Sequence, residues 1–340
     1  MGKSYFCKYC DNVKLESFSE TEDYHYNNNG KWCTYRCDKC KHIYQLPLMS
    51  DAELSVFYPS NYYSFTIDQR SYDSNKIFES PRLVLQKHFL KHFRGYSHLN
   101  VSGNFILANC YKLVKFRPFF YNNPEFIQNG NILDYGCGAG ILVSFYQYLG
   151  WNAEGIEISK QATINAQKNG LNVRSGSIEQ LDGYENYYDV IHSCHALEHV
   201  ADVDELFSKF YNSLKPGGYL VFEVPNGNAA AIDDYKDYYY YFGMPVHLNL
   251  FTQISAKSAL LKVGFCNIQI DTYSVWNTQI ASFYTKKKNK NSNRKFNLGS
   301  HTKLENKLGY IFTFITYIKS LQRGKGDNLI VIAQKSKIIK

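Results

Sequence analysis

The chain is predicted to fold as an α/β protein, a doubly wound and mostly parallel sheet preceded by a cysteine-rich module and a helical cap. Three observations predict it. Strand-like and helix-like segments alternate from Asn131 to Val224, the order that builds a parallel sheet with helices on both faces. A glycine turn, Gly136-Cys137-Gly138-Ala139-Gly140, follows the first of those strands, and two C-x-x-C pairs stand near the start of the chain.

The first unit, residues 1–45, is read as a zinc-binding module. Its pairs, Cys7-Lys8-Tyr9-Cys10 and Cys37-Asp38-Lys39-Cys40, are separated by 26 residues. Each pair sets two thiolates on one turn, and four thiolates complete a tetrahedral Zn²⁺ site with no open position, so the expected ion is structural. Cys33 offers a further thiol, but only Cys7, Cys10, Cys37 and Cys40 form matched pairs. Nine cysteines, an odd number with four in C-x-x-C pairs, speak against a disulfide framework. Met1 to Cys10 holds no apolar signal core. The expected location is therefore the cytoplasm.

Residues 46–126 read as a helical connecting or cap region, in which Leu85, Phe89 and Phe93 recur every four residues as one helix face requires. The sheet unit spans 127–340. Strands are expected at Asn131–Asp134, Asn152–Ile158, Asp189–Ser193 and Tyr219–Val224, with helices at Lys160–Asn169, Asp202–Leu214 and Ile254–Val263. A strand at Cys266–Ile270 precedes an insertion at about 272–326, and Asn328–Ala333 is the last strand. The insertion carries the basic run from Lys286 to Lys295, read as a solvated loop, and the apolar stretch Tyr310–Ile318. That stretch is half the ~18 residues a membrane span needs. Peripheral membrane contact through 286–320 is an expectation.

Gly136, Gly138 and Gly140 allow a ligand close to the backbone, and the next helix offers its free N–H groups to an anion. Glu157 ends the second strand, 23 residues after Asp134, where a carboxylate accepts hydrogen bonds from ribose hydroxyls. Ser177 and Ile178 follow the third strand. A nicotinamide site needs G-x-G-x-x-G, which this turn does not supply. Taken together, Asp134-x-Gly136-x-Gly138-x-Gly140, Glu157, the strand at Asp189 and Leu214-Lys215-Pro216-Gly217-Gly218 resemble the class I methyltransferases, a Rossmann-like fold that uses S-adenosylmethionine. The likeness implies that Asp134 meets the methionine ammonium, that Gly136, Cys137, Gly138 and Gly140 flank methionine and ribose, and that Glu157 holds the ribose. Ile158 and Ile178 would stack on adenine beside Ser177, which replaces the acidic residue common there, and Ser193 completes the cofactor set.

Catalytic candidates follow the fourth strand, in His195-Ala196-Leu197-Glu198-His199-Val200, and return in Met244-Pro245-Val246-His247. The segment Leu197–Val200 resembles ubiquinone-pathway O-methyltransferases. His195 or His247 is expected to act as general base through a near-neutral pKa, with Glu198 and His199 bracing the loop or contributing to catalysis. Mg²⁺ at this cluster is disfavoured, because imidazole is a poor ligand for an ion that prefers oxygen. The order of the zinc module, Gln45-Leu46-Pro47, the Tyr58–Phe65 stretch, the core and Gly326-Asp327-Asn328-Leu329 resembles a bacterial zinc-ribbon group linked to sugar nucleotides and surface polysaccharides. It implies a small-molecule acceptor, a sugar nucleotide or glycan intermediate. The net charge of +8 favours a second reading, an RNA methyltransferase or zinc-ribbon nucleic-acid binder.

Overall fold

The computed structural model describes residues 4–11, 13–26, 28–50, 53–54, 56–57, 81–114, 124–290 and 302–337. The tyrosine-rich stretch at 58–65 and the Arg294 end of the basic run lie outside the described residues. In chain order the amino-terminal strands are β1 (Leu15–Thr21), β2 (Trp32–Cys37) and β3 (Ile43–Gln45), followed by helices α1 (Pro81–Phe93) and α2 (Phe105–Val114). The central run is β4 (Asn131–Tyr135), α3 (Ile141–Tyr148), β5 (Asn152–Glu157), α4 (Lys160–Lys168), β6 (Val173–Ser175), β7 (Tyr188–Cys194), α5 (Val203–Ser213) and β8 (Leu214–Pro225). The remainder is α6 (Ala230–Tyr235), β9 (Asn249–Leu250), α7 (Gln253–Val263), β10 (Cys266–Tyr273), α8 (Trp276–Lys290), α9 (Lys303–Phe312), α10 (Phe314–Ser320) and β11 (Asn328–Gln334).

The main sheet runs β10-β11-β8-β7-β4-β5-β6. The strands β6, β5, β4, β7 and β8 are parallel, and β11 lies antiparallel to both β8 and β10. From β4 the chain winds outward to β5 and β6, then returns to the other side of β4 as β7, so the strand order reverses between β4 and β7. In doubly wound sheets that reversal opens a crevice at the carboxyl ends of the strands. The strand at 219–224 is longer than its apolar run suggested. Lys215 to Gly218 belong to β8, where the Gly217 N–H bonds to the Lys335 carbonyl and the Lys335 N–H to the Gly218 carbonyl.

Helix ends follow local chemistry. The Asp202 side chain accepts the Glu205 N–H at the start of α5, where Asp204 and Glu205 also suit the positive end of the helix dipole. Val203, Leu206, Phe207 and Phe210 bury its apolar face. Thr252 and Ser255 form a reciprocal cap on α7.

The small sheet, β1-β2-β3-β9, joins the cysteine module to the main body. Ile43 of β3 pairs with Leu250 of β9, the Thr252 hydroxyl donates to the Cys40 carbonyl (2.6 Å), and Cys7, Cys10, Cys37 and Cys40 share one apolar cluster with Phe207 and Phe251. Helices α1 and α2 pack beside β4 and α3 through Phe89, Leu90, Ala108 and Tyr111. The expected stripe of α1 holds only in part: Phe89 is buried, Phe93 is exposed, and Leu90 takes the inward place.

The insertion corrects one expectation. The basic run does not begin as a loop, since Lys286, Lys287 and Lys288 lie on the last turns of α8, where lysine suits the negative helix end. Two further helices follow. Thr302 and Glu305 form a capping box for α9, Trp276 stacks on Tyr317 at 4.0 Å and 6°, and Gly309 sits where a Cβ would lie 2.5 Å from the Ile280 side chain.

Candidate active site

The carboxyl ends of the parallel strands place the sequence-predicted residues along one edge. Glu223 lies near the end of β8, Cys194 and His195 at the end of β7, the glycine turn after β4, and Glu157 at the end of β5. With strands about 4.8 Å apart, His195 and Glu157 stand about two strand spacings from one another, a span suited to one elongated ligand. The glycine turn is tightly held: Gly136, Gly138 and Gly140 have φ of 73, 54 and 86°, a backbone that favours glycine. A Cβ on Gly136 would come within 2.3 Å of the Ala196 Cβ, so the glycine turn and the His195–His199 turn touch.

Glu157 is buried and accepts the Gly138 N–H and the Ser159 N–H, each at 2.8 Å. Burial raises its pKa, and the two N–H donors oppose that rise. Asp134, buried beneath the turn, accepts from His192 Nδ1 at 3.3 Å.

Next to the turn, His195 lies between two fully buried carboxylates, with Nδ1 3.2 Å from Glu198 and Nε2 3.2 Å from Glu223. Its ring stacks on Tyr241, and the Tyr273 hydroxyl donates to Glu223 at 2.6 Å. His195 has φ 52°, a left-handed backbone that costs a side-chain-bearing residue about 1–2 kcal/mol. Its N–H donation to the Glu223 carbonyl helps hold it there. Burial disfavours its charged form, but the bonds to Glu198 and Glu223 outweigh burial and raise its pKa to about 9. Burial also acts against the Glu198 carboxylate, and the His195 bond with the neighbouring histidines overcomes it, lowering that pKa to about 2.

His247 is the opposite case. Burial first, then repulsion by His199, lowers its pKa to about 3. Its Nδ1–H donates to the Tyr241 carbonyl (2.9 Å), which leaves Nε2 with the lone pair. His199 likewise donates from Nδ1 to the Val246 carbonyl (2.9 Å), and burial lowers its pKa. Ligating atoms of Glu198, His199 and His247 lie within 4.8 Å of one another, and Glu198 Oε2 is buried with no hydrogen-bond partner. His195 is thus held protonated by two carboxylates, and His247 is held neutral by burial.

Residues 109–270, which contain this entire edge, match the family model described as a methyltransferase domain. The chain is similar to that family over those residues, just under half of its length. It is 33% identical over 112 residues to the ubiquinone biosynthesis O-methyltransferase of Rickettsia prowazekii, covering 31% of this chain and 43% of that protein. The namesake from Hydrogenovibrio crunogenus is 28% identical over 144 residues, covering 40% and 56%. The chain therefore spans about half the length of these curated relatives. A sterol 24-C-methyltransferase of Pneumocystis carinii is 24% identical over 260 residues, covering 69% of this chain and 68% of that protein. Among solved structures, a SAM-dependent methyltransferase from Archaeoglobus fulgidus aligns with a TM-score of 0.44 and 18% identity, covering 79% of this chain and all of that one.

Two residues of the expected cofactor set make contacts within the protein. The Cys137 thiol packs toward Gly155, where a Cβ would lie 2.5 Å from its sulfur, and the Cys137 N–H is taken by the Ile156 carbonyl. The Ser193 hydroxyl is buried and donates to the Tyr135 carbonyl between β7 and β4. Ile158 is exposed, Ile178 is half-buried, and Ser177 Oγ lies 3.2 Å from the Tyr135 hydroxyl. Sequence reasoning missed Glu223, Tyr241 and Tyr273. One signal was available for Glu223: a lone acid in the apolar strand Leu220-Val221-Phe222-Glu223-Val224 is a buried charge that needs a partner.

Beside the main sheet, the four paired cysteines converge. Their sulfurs lie within 4.8 Å of one another, all four residues are buried, and Cys7 Sγ is 3.7 Å from Cys40 Sγ. A zinc tetrahedron with ~2.3 Å bonds has sulfur–sulfur edges of about 3.8 Å, so the donor set fits that ion. Cys33 is exposed on β2 and does not join the cluster.

Proposed function

We propose that the chain is an S-adenosylmethionine-dependent methyltransferase acting on a hydroxyl or carbon of a small acceptor, a sugar nucleotide or glycan intermediate. One observation carries the reading: a glycine turn tied to a strand-ending Glu157 touches a turn that holds two half-buried histidines and the buried Glu198. Bound S-adenosylmethionine supplies an electrophilic methyl group on a sulfonium. The protein's part is alignment and proton management. Glu157 accepts the ribose hydroxyls, and the glycine turn lets the methionine end approach the backbone beside Ala196. His247 Nε2, left with the lone pair because Nδ1–H is given to the Tyr241 carbonyl, would take the proton the acceptor loses, while the methyl group leaves the sulfonium and the pair of the broken carbon–sulfur bond stays on sulfur. The protonated His195 and the carboxylates of Glu198 and Glu223 orient a polyhydroxylated acceptor, with Tyr241 and Tyr273 at its face. The sugar assignment is supported by the zinc-ribbon likeness of the chain.

The test is methyl transfer from S-adenosylmethionine, followed by mass spectrometry across nucleotide sugars, small phenols and RNA. A methylated nucleotide sugar supports the reading; methylated RNA alone would replace it. His247→Ala is expected to lower kcat about 100-fold with S-adenosylmethionine affinity nearly unchanged. Equal loss of cofactor binding would make His247 structural.

We also propose a structural Zn²⁺ on Cys7, Cys10, Cys37 and Cys40. It would lock the knuckles against α7 through the Cys40 carbonyl and the Thr252 hydroxyl. Metal analysis should find one zinc per chain, and Cys37→Ser should lose it along with several degrees of melting temperature. Full zinc retention in that variant would contradict the site.

A further inference from the structure

Helices α9 and α10 are built inside out. Their inward positions are small or polar: Gly309, Thr313, Thr316 and Ser320 are buried. Their outward positions are large and apolar. Leu304, Leu308, Ile311, Ile315 and Ile318 follow one another at spacings of four, three, four and three residues, which on a helix makes a single stripe. Ile311 is 72% exposed and Ile315 70%. The stripe runs unbroken across the junction, because Thr313 N–H bonds to the Gly309 carbonyl and Tyr317 N–H to the Thr313 carbonyl. Contiguous apolar surface of this kind marks an interaction site.

The flanks say which kind. A groove of about 530 Å³ opens beside the stripe, floored by Phe283, Phe312 and Ile315 and rimmed by Lys286, Lys287, Lys290 and Lys319. Lys303 and Lys307 are exposed on α9 itself. The acids nearby are already engaged: Glu305 binds Lys288, and Asp234 binds Lys319. Two copies packed stripe to stripe would bring these lysines together and repel. A negatively charged lipid surface neutralises them while the stripe enters the acyl boundary.

We propose that this helical insertion docks the protein on anionic membrane surfaces, lying in the interface without crossing it. Among the described residues no helix is long and apolar enough to cross a membrane. The proposal is independent of the methyl acceptor.

The experiment is flotation of the full chain with vesicles of phosphatidylcholine alone and of phosphatidylcholine mixed with phosphatidylglycerol. The chain should float with the mixed vesicles and much less with the neutral ones, and added salt should weaken binding. Ile311→Glu/Ile315→Glu changes two exposed side chains, so its melting temperature should match wild type while vesicle binding falls about tenfold or more. Lys287→Glu/Lys290→Glu should weaken binding to mixed vesicles only. Failure of the wild-type chain to bind mixed vesicles overturns the proposal, as does undiminished binding by both variants. A wild-type dimer that Ile311→Glu/Ile315→Glu converts to monomer, without vesicle binding, would assign the stripe to a second copy.

Discussion

Glu157→Ala is expected to weaken S-adenosylmethionine binding about 100-fold while leaving the sheet folded. Two hydrogen bonds from ribose hydroxyls to a buried carboxylate are together worth about 3 kcal/mol, and 1.4 kcal/mol is tenfold in affinity. The loss has a second source. Glu157 also accepts the Gly138 and Ser159 N–H groups, so truncation frees the glycine turn from β5. Glu157→Gln keeps one carbonyl acceptor and should lose about tenfold. Isothermal titration of S-adenosylmethionine against both variants measures the two effects. Unchanged affinity in Glu157→Ala would remove the residue from the cofactor site.

A second large effect concerns His195. Its folded pKa, raised to about 9, lies above the ordinary value of about 6.5. The folded state therefore holds this proton more tightly than the unfolded chain does. The stabilisation is complete below about pH 6.5 and is lost as pH rises through about 9. A separation of about 2.5 units corresponds to ~3 kcal/mol, so melting temperature should fall by about 5 °C between pH 7 and 10 on this account. Glu198 behaves oppositely: its pKa, lowered to about 2, gives stability present above about pH 4.5 and lost as pH falls through 2. Glu223→Gln should lower stability at pH 7 by about 2 kcal/mol, because a buried imidazolium keeps one partner of two. It should also move the alkaline decline toward neutral pH. A variant melting profile that overlays wild type would show that Glu223 does not hold the proton on His195.

Much of the sheet was legible because period and punctuation agree in it. The last strand, β11, holds the apolar run Leu329–Ala333, β4 is closed by Gly136 and β5 by Glu157, and α4, α5 and α7 carry caps visible as Ser159, Asp202 and Thr252. The insertion was not legible, since its inward positions are glycine, threonine and serine and its outward ones isoleucine and phenylalanine, the reverse of the usual amphipathic pattern. Within the site, Glu157 and the glycines could be read from their place after strands. The protonation of His195 could not, because Glu223 comes from another strand and Tyr273 from the far edge of the sheet. The four-cysteine cluster was legible from spacing alone, whereas its attachment through β3 and β9 depends on a two-residue strand that leaves no periodic signal.

On the proposed function, the edge formed by the glycine turn, Glu157 and the histidine turn binds S-adenosylmethionine. Titration calorimetry of the purified chain with S-adenosylmethionine, and with a nicotinamide dinucleotide for comparison, tests it most directly. One molecule of S-adenosylmethionine bound per chain, with no dinucleotide binding, is the predicted result. Absence of S-adenosylmethionine binding, or binding of the dinucleotide in its place, would contradict it.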